Sequence, residues 1–249
     1  NSLIGTQYYE GANGLDMGKQ TNEFRPLEEF FGSGVILDIK GVISGASALT
    51  KVGYDTVILS GTNTYTGGTN VTGGRVLIGR TNALATTGDV TTQANGVLDL
   101  NGYNQTIGKL STVLNPATPS GSSGYITNSA ASISTLTVGN GAATDFTYSG
   151  IIQNNVAINK TGTGTLQLTN TNTYTGRTTI SGGKLSVASE SALGSAPNAS
   201  TADHLLINGG TLLTTGSFAL DDTYRGVTIG AFGGGIETTT GTTFTIANS

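Results

Sequence analysis

The sequence predicts an all-β chain wound as a right-handed parallel β-helix, a β-solenoid of roughly ten coils. Three observations lead there. A stretch of 34 residues recurs without a gap 109 residues further on. Apolar residues fall in short β-branched runs divided by Gly, Asn, Thr and Ser. Comparable runs, such as those at Val57, Val76 and Val97, are spaced by roughly 18 to 22 residues, a length suited to one coil.

The repeat sets the frame. Residues 51–84 and 160–193 match at 15 of 34 positions, and Gly41-Val42-Ile43 falls opposite Gly150-Ile151-Ile152 upstream. Runs such as Val57-Ile58-Leu59, Val76-Leu77-Ile78 and Val97-Leu98-Asp99-Leu100 read as strands of three to six residues. In a parallel coil each strand pairs with the coils above and below, and inward aliphatic residues stack into one continuous core. Gly73-Gly74 and Gly182-Gly183 lie between strands, where a tight corner needs positive φ. An antiparallel sandwich is the competing architecture for such a chain. The similarity runs through without a linker, which favours the solenoid.

Residues 1–34 differ in texture. Tyr8, Tyr9, Phe24, Phe30 and Phe31 are five of the sixteen aromatics, and five of the fifteen acids lie there too. This segment reads as a cap or an irregular aromatic stretch, with a short helical or irregular turn around Pro26. Residues 35–249 form the solenoid, with repeat units of about 35–143 and 144–249. The segment 115–124, with Pro116, Pro119 and a Ser/Gly run, is expected to be a loop thrown out from it.

Composition narrows the function classes. Gly (39) and Thr (43) dominate, and charged residues make up 10% against about 25% in an average soluble protein. A net charge of −4 without a Lys/Arg cluster argues against nucleic acid as a partner. Cys is absent, which removes disulfides and thiolate metal sites and is compatible with export in an unfolded state. No apolar run approaches the ~20 residues that span a bilayer, so this segment is not expected to insert in a membrane. Asn1 opens without a basic or apolar leader and the last residues are polar, so the chain is expected to be a mature segment with more protein beyond both ends.

The sharpest motif is Asn63-Thr64-Tyr65-Thr66-Gly67 with its copy Asn172-Thr173-Tyr174-Thr175-Gly176, each between a Gly/Thr-led strand and a Gly-Gly-bounded strand. This arrangement resembles the passenger-associated strand repeat of bacterial autotransporters. Residues 56–61 and 165–169 carry its first half, and 71–78 and 180–187 its second. Arg177 stands where the pattern has Gly, and Tyr54-Asp55 replaces a small pair; both departures are expected to face solvent. The resemblance implies a secreted or surface-exposed stalk or adhesin passenger, not an enzyme. Implied partners are a host or matrix glycan or protein, or other copies of the chain stacked along the solenoid axis into filaments.

No catalytic, cofactor or metal site is legible, and no cofactor is expected. His204 is the one histidine and reads as an exposed turn residue. Tyr65 and Tyr174 are expected to pack over corners with their hydroxyls on backbone, rather than to form an exposed aromatic ladder for sugars. Asp221-Asp222 reads as a hydrated turn. β-Helical polysaccharide lyases and hydrolases, the rival class, use clustered carboxylates. Here Asp38, Asp55, Asp89, Asp99, Asp145, Glu190, Asp203 and Glu237 are scattered, although Asp38 and Asp99 are expected to point outward on one face. A flat Thr-x-Thr array for ice is broken by Val, Lys and Ser, and the sequons at Asn70, Asn104, Asn159 and Asn198 follow from composition.

Overall fold

A computed structural model describes residues 36–93, 95–113 and 124–247, together with the backbone of three strands, Thr6–Tyr9, Leu15–Asp16 and Glu23–Phe24. The expected loop at 115–124 lies outside the described residues except for Gly124, and so do the side chains of the aromatic segment 1–34. Among the described residues every strand pairing is parallel, in a solenoid of about nine turns, as the sequence predicts. The one helical element among the described residues is a 3-10 turn, Glu190–Leu193.

Strands stack in three columns, so each coil is a triangle in cross-section. The first face runs through Ile36–Ile39, Thr56–Leu59, Gly74–Ile78, Gly96–Asp99, Tyr125–Thr127, Ile151–Asn154 and Thr173–Tyr174. A second face holds Gln105–Ile107, Ser134–Val138, Val156–Lys160, Thr178–Ile180, Thr201–Ile207 and Arg225–Ile229. The third begins with Leu49–Lys51, Thr69–Val71, Val90–Thr92 and Leu110–Thr112. It then continues by packing of Leu110–Thr112 on Phe146–Tyr148, followed by Thr165–Leu168, Lys184–Val187, Thr211–Thr214 and Gly235–Thr238. The three early strands pair in the same way, Thr6–Tyr9 with Ile36–Ile39, Leu15–Asp16 with Ile43–Ser44, and Glu23–Phe24 with Thr50 and Lys51.

Pleating turns alternate residues inward. In register, Val57, Val76, Leu98, Ile126 and Ile152 form one unbroken buried stack, and Phe146, Leu166, Leu185 and Leu212 another. Continuous stacking of this kind removes apolar surface from water coil after coil, which is what lets short strands of three to five residues hold together.

The corner glycines behave as the sequence predicts at one position of each pair. Gly74 (φ 59°) and Gly183 (φ 58°) lie in the left-handed region, and a Cβ on either would come within 2.4 Å of a backbone oxygen.

The two repeat copies do not sit on the same faces. Leu49–Lys51 lies on the third face, whereas its counterpart 158–160 lies on the second; Thr56–Leu59 lies on the first and its counterpart Thr165–Leu168 on the third. Between Val57 and Leu166 the chain completes four coils and then two further faces. The repeat is thus a unit of local chemistry that is indifferent to which side of the prism it occupies.

Candidate functional site

The Asn-Thr-Tyr-Thr-Gly motif is structural, and each letter has a cause. Asn63 accepts a hydrogen bond from Ile43 N through Oδ1 (2.8 Å) and donates through Nδ2 to Ala83 O (2.7 Å), splicing the coils on either side. Asn172 repeats this with Ile152 N (2.9 Å) and Ala192 O (2.8 Å). The rings of Tyr65 and Tyr174 are fully buried in the core. Their hydroxyls bond the side chains of Thr69 (2.5 Å) and Thr178 (2.7 Å), not the backbone alone as expected. Burial pushes both phenols up to about 12. An exposed sugar ladder from these tyrosines is therefore ruled out by geometry.

Sequence reasoning missed two buried lysines. Lys51 and Lys160, equivalent in the repeat, are 1% and 0% exposed, Lys51 in register with Val71 and Lys160 between Val138 and Ile180. The Lys51 ammonium donates to the carbonyls of Val52 (2.5 Å), Gly53 (3.2 Å) and Gly73 (3.4 Å), and that of Lys160 to Thr161 (2.5 Å), Gly162 (3.4 Å) and Gly182 (3.3 Å). Desolvation lowers the Lys160 ammonium to about 8, against a smaller opposing pull from Asp145. The shared Lys at the head of each copy was the available signal.

Three expectations about polar residues are corrected. His204 is 3% exposed within a strand, not in a solvated turn. The fully buried Arg225 explains it. Its guanidinium donates to Leu193 O and Gly194 O (both 2.9 Å), pairs with Asp222 (3.1 Å) and Glu190 (3.4 Å), and faces His204 Nδ1 at 3.4 Å. With an arginine at Nδ1, the imidazole proton belongs on Nε2, which reaches Thr175 O at 3.4 Å. Burial and the Arg225 charge lower the His204 pKa. Asp222 is accordingly an ion-pair partner rather than a purely hydrated turn residue.

Asp55 is 4% exposed instead of facing solvent, although Tyr54 beside it is 80% exposed and Arg177 is also exposed, next to Asp203. Asp99 does alternate to the outer side, yet it is fully buried because a turn folds over it. Its Oδ1 accepts from Asn101 N and Ser129 N (both 2.9 Å), and its Oδ2 pairs with Arg75 at 2.6 Å. Asp38 and Asp99 do share a column, but Ile58 and Leu77 stand between them. Three inter-coil steps make about 14 Å, beyond the ~5–9.5 Å that separates a glycosidase carboxylate pair. The outer column Thr106, Thr137, Asn159, Thr179, Leu206, Thr228 likewise interrupts any ice-binding array.

The first face carries an open groove of about 550 Å³, lined among others by Tyr54, Arg75, Val97, Tyr125, Gln153 and Asn154. Arg75, Val97 and Tyr125 are register partners in successive coils, with Tyr54 one coil before them and Gln153 one coil after, so the groove runs along the solenoid axis. Among the described residues its one charged lining residue is Arg75, which is neutralised by the buried Asp99. Among the described residues no group of three or more His, Asp or Glu is placed to hold a metal, and no helix is long and apolar enough to cross a membrane.

The model of the passenger-associated-transport-repeat matches residues 49–78 and 158–187, the two copies built around the buried lysines and tyrosines. The chain thus carries two passenger-associated transport repeats, the repeat type of autotransporter passengers. Over 204 residues this passenger segment is 34% identical to the adhesin BmaC autotransporter of Brucella suis biovar 1 (strain 1330), an alignment covering 80% of the chain. The chain spans about 6% of that relative's length. No solved structure matches the passenger segment.

Proposed function

We propose that this segment is a non-enzymatic length of rod in a surface-exposed or secreted adhesin passenger, holding or presenting contact surface away from the cell. The observation that carries this reading is the parallel three-faced solenoid built on two passenger repeats. The likeness to a protein named an adhesin supports the adhesive role. Separation of Asp38 from Asp99, and commitment of Glu190 and Asp222 to Arg225, disfavour the rival reading as a polysaccharide-cleaving β-helix. Contacts between copies along the solenoid axis are a further part of the proposal, since unpaired strand backbone wherever a solenoid ends can pair with another copy.

Deleting these residues from a full-length passenger tests the rod role. About nine coils at ~4.8 Å each predict a rod shortened by about 43 Å in electron micrographs, with export retained. An unchanged rod length, or release of shorter sugars from acidic or neutral polysaccharides by the purified chain, overturns the proposal.

A further inference from the structure

We infer that the groove on the first face is a binding site for a neutral, unbranched glycan chain lying along the solenoid axis; this rests on the adhesive reading above and names its ligand class. Tyr54 is 80% exposed and Tyr125 half-buried, so the groove offers two aromatic surfaces on which the apolar face of a pyranose can lie. Between and beyond them stand uncharged hydrogen-bonding groups, the amides of Asn95, Gln153 and Asn154, which suit hydroxyls.

Charge selects against an acidic ligand. The Arg75 side chain is 41% exposed, but one of its nitrogens is held at 2.6 Å by the carboxylate of Asp99, which no solvent reaches. The pair is neutral as a whole, and the guanidinium N–H groups outside the ion pair are donors for hydroxyl oxygens. The Asp99 carboxylate is itself anchored by Asn101 N and Ser129 N, so the guanidinium is positioned before any ligand arrives. Asn154, in the left-handed region at φ 63°, donates to Thr127 Oγ1 at 2.8 Å, which fixes the groove's far wall.

Geometry fits a chain rather than a single sugar. The lining residues come from successive coils about 4.8 Å apart, close to the length of one pyranose unit, so each unit of an extended chain meets the same outward column one coil on. The volume of about 550 Å³ lies within the ~300–1,000 Å³ usual for small-ligand sites.

The test is calorimetric titration of the purified 249-residue chain with cellohexaose, mannohexaose, chitohexaose and hexagalacturonate, each mixture then being chromatographed for cleavage products. Binding to at least one neutral hexamer is expected, stronger than to the charged one, and weakened about tenfold or more by Tyr54→Ala and by Gln153→Ala. Phe232→Ala, at a residue 82% exposed in the last coil, should leave it unchanged. No binding to any neutral hexamer, a preference for hexagalacturonate, or indifference to Tyr54→Ala overturns the site. Cleavage of a bound hexamer would instead overturn the non-enzymatic reading and leave the groove standing, so the two failures are distinguishable.

Discussion

Lys51 and Lys160 cap equivalent sets of three corner carbonyls although they sit on different faces of the prism. Two effects oppose each other here. Burying an ammonium is costly, which is why the Lys160 pKa falls to about 8, but removing it strands the carbonyls of Thr161, Gly162 and Gly182. An unsatisfied buried acceptor costs ~1–3 kcal/mol, and three are affected at once, so the loss outweighs the relief. Lys160→Met should destabilise the chain by ~1–3 kcal/mol net in urea unfolding. A neutral or stabilising result would show that the ammonium is tolerated rather than used.

The Asn172 amide predicts a comparable loss. Asn172→Ala leaves Ile152 N without its acceptor and Ala192 O without its donor, at a corner where the amide is 3% exposed and water cannot substitute. About 1–3 kcal/mol of stability should go, with Asn172→Asp intermediate, because a carboxylate can still accept from Ile152 N but cannot donate to Ala192 O. Equal stability of Asn172→Ala and the parent chain in thermal melts would falsify the splice.

Much of this was legible in the sequence, for reasons that explain what was not. Inward stacks such as Val57, Val76 and Leu98 follow from alternation and spacing alone, and the paired glycines announced their corners. Alternation assigns a side of the strand, however, and says nothing of what folds across it. Asp99 points outward and is buried because the turn through Ser129, in the next coil, closes over it. His204 required knowledge of Arg225, 21 residues away, which only the coil register supplies. The groove was invisible for the same reason. Tyr54, Arg75, Tyr125 and Gln153 meet across coils of unequal length, and the step from Leu98 to Ile126 is much longer than that from Val57 to Val76.

The Arg225 cluster predicts a specific pH dependence. Burial, then the hydrogen bond and charge of Asp222, raise Glu190 from 4.5 to about 7, with Arg225 opposing. The folded chain therefore holds a proton that the unfolded chain releases, and stability falls as pH rises from about 4.5 through about 7. Glu190→Gln removes this contribution. The variant should match the parent near pH 4 and melt at a higher temperature at pH 8, with the gap opening between. His204, whose pKa is lowered, acts in the opposite sense in both proteins and cancels in the comparison. Parallel melting curves across that range would place Glu190 in water rather than in the cluster.

The tyrosine–threonine bond should contribute equally in both copies of the repeat. The Tyr174 hydroxyl meets Thr178 Oγ1 at 2.7 Å and that of Tyr65 meets Thr69 Oγ1 at 2.5 Å, each bond spanning four residues within one copy. The rings lie on different faces, against different neighbouring coils. In a double-mutant cycle with Tyr174→Phe and Thr178→Val the coupling should be ~0.5–1.5 kcal/mol, the net worth of a buried neutral hydrogen bond. The cycle with Tyr65→Phe and Thr69→Val should return the same value within about 0.5 kcal/mol, since a double-mutant cycle isolates the tyrosine–threonine bond from the further backbone bond that Tyr65 makes at Ala85. A coupling present in one copy and absent from the other would mean that the surrounding face, not the motif, sets the tyrosine's contribution.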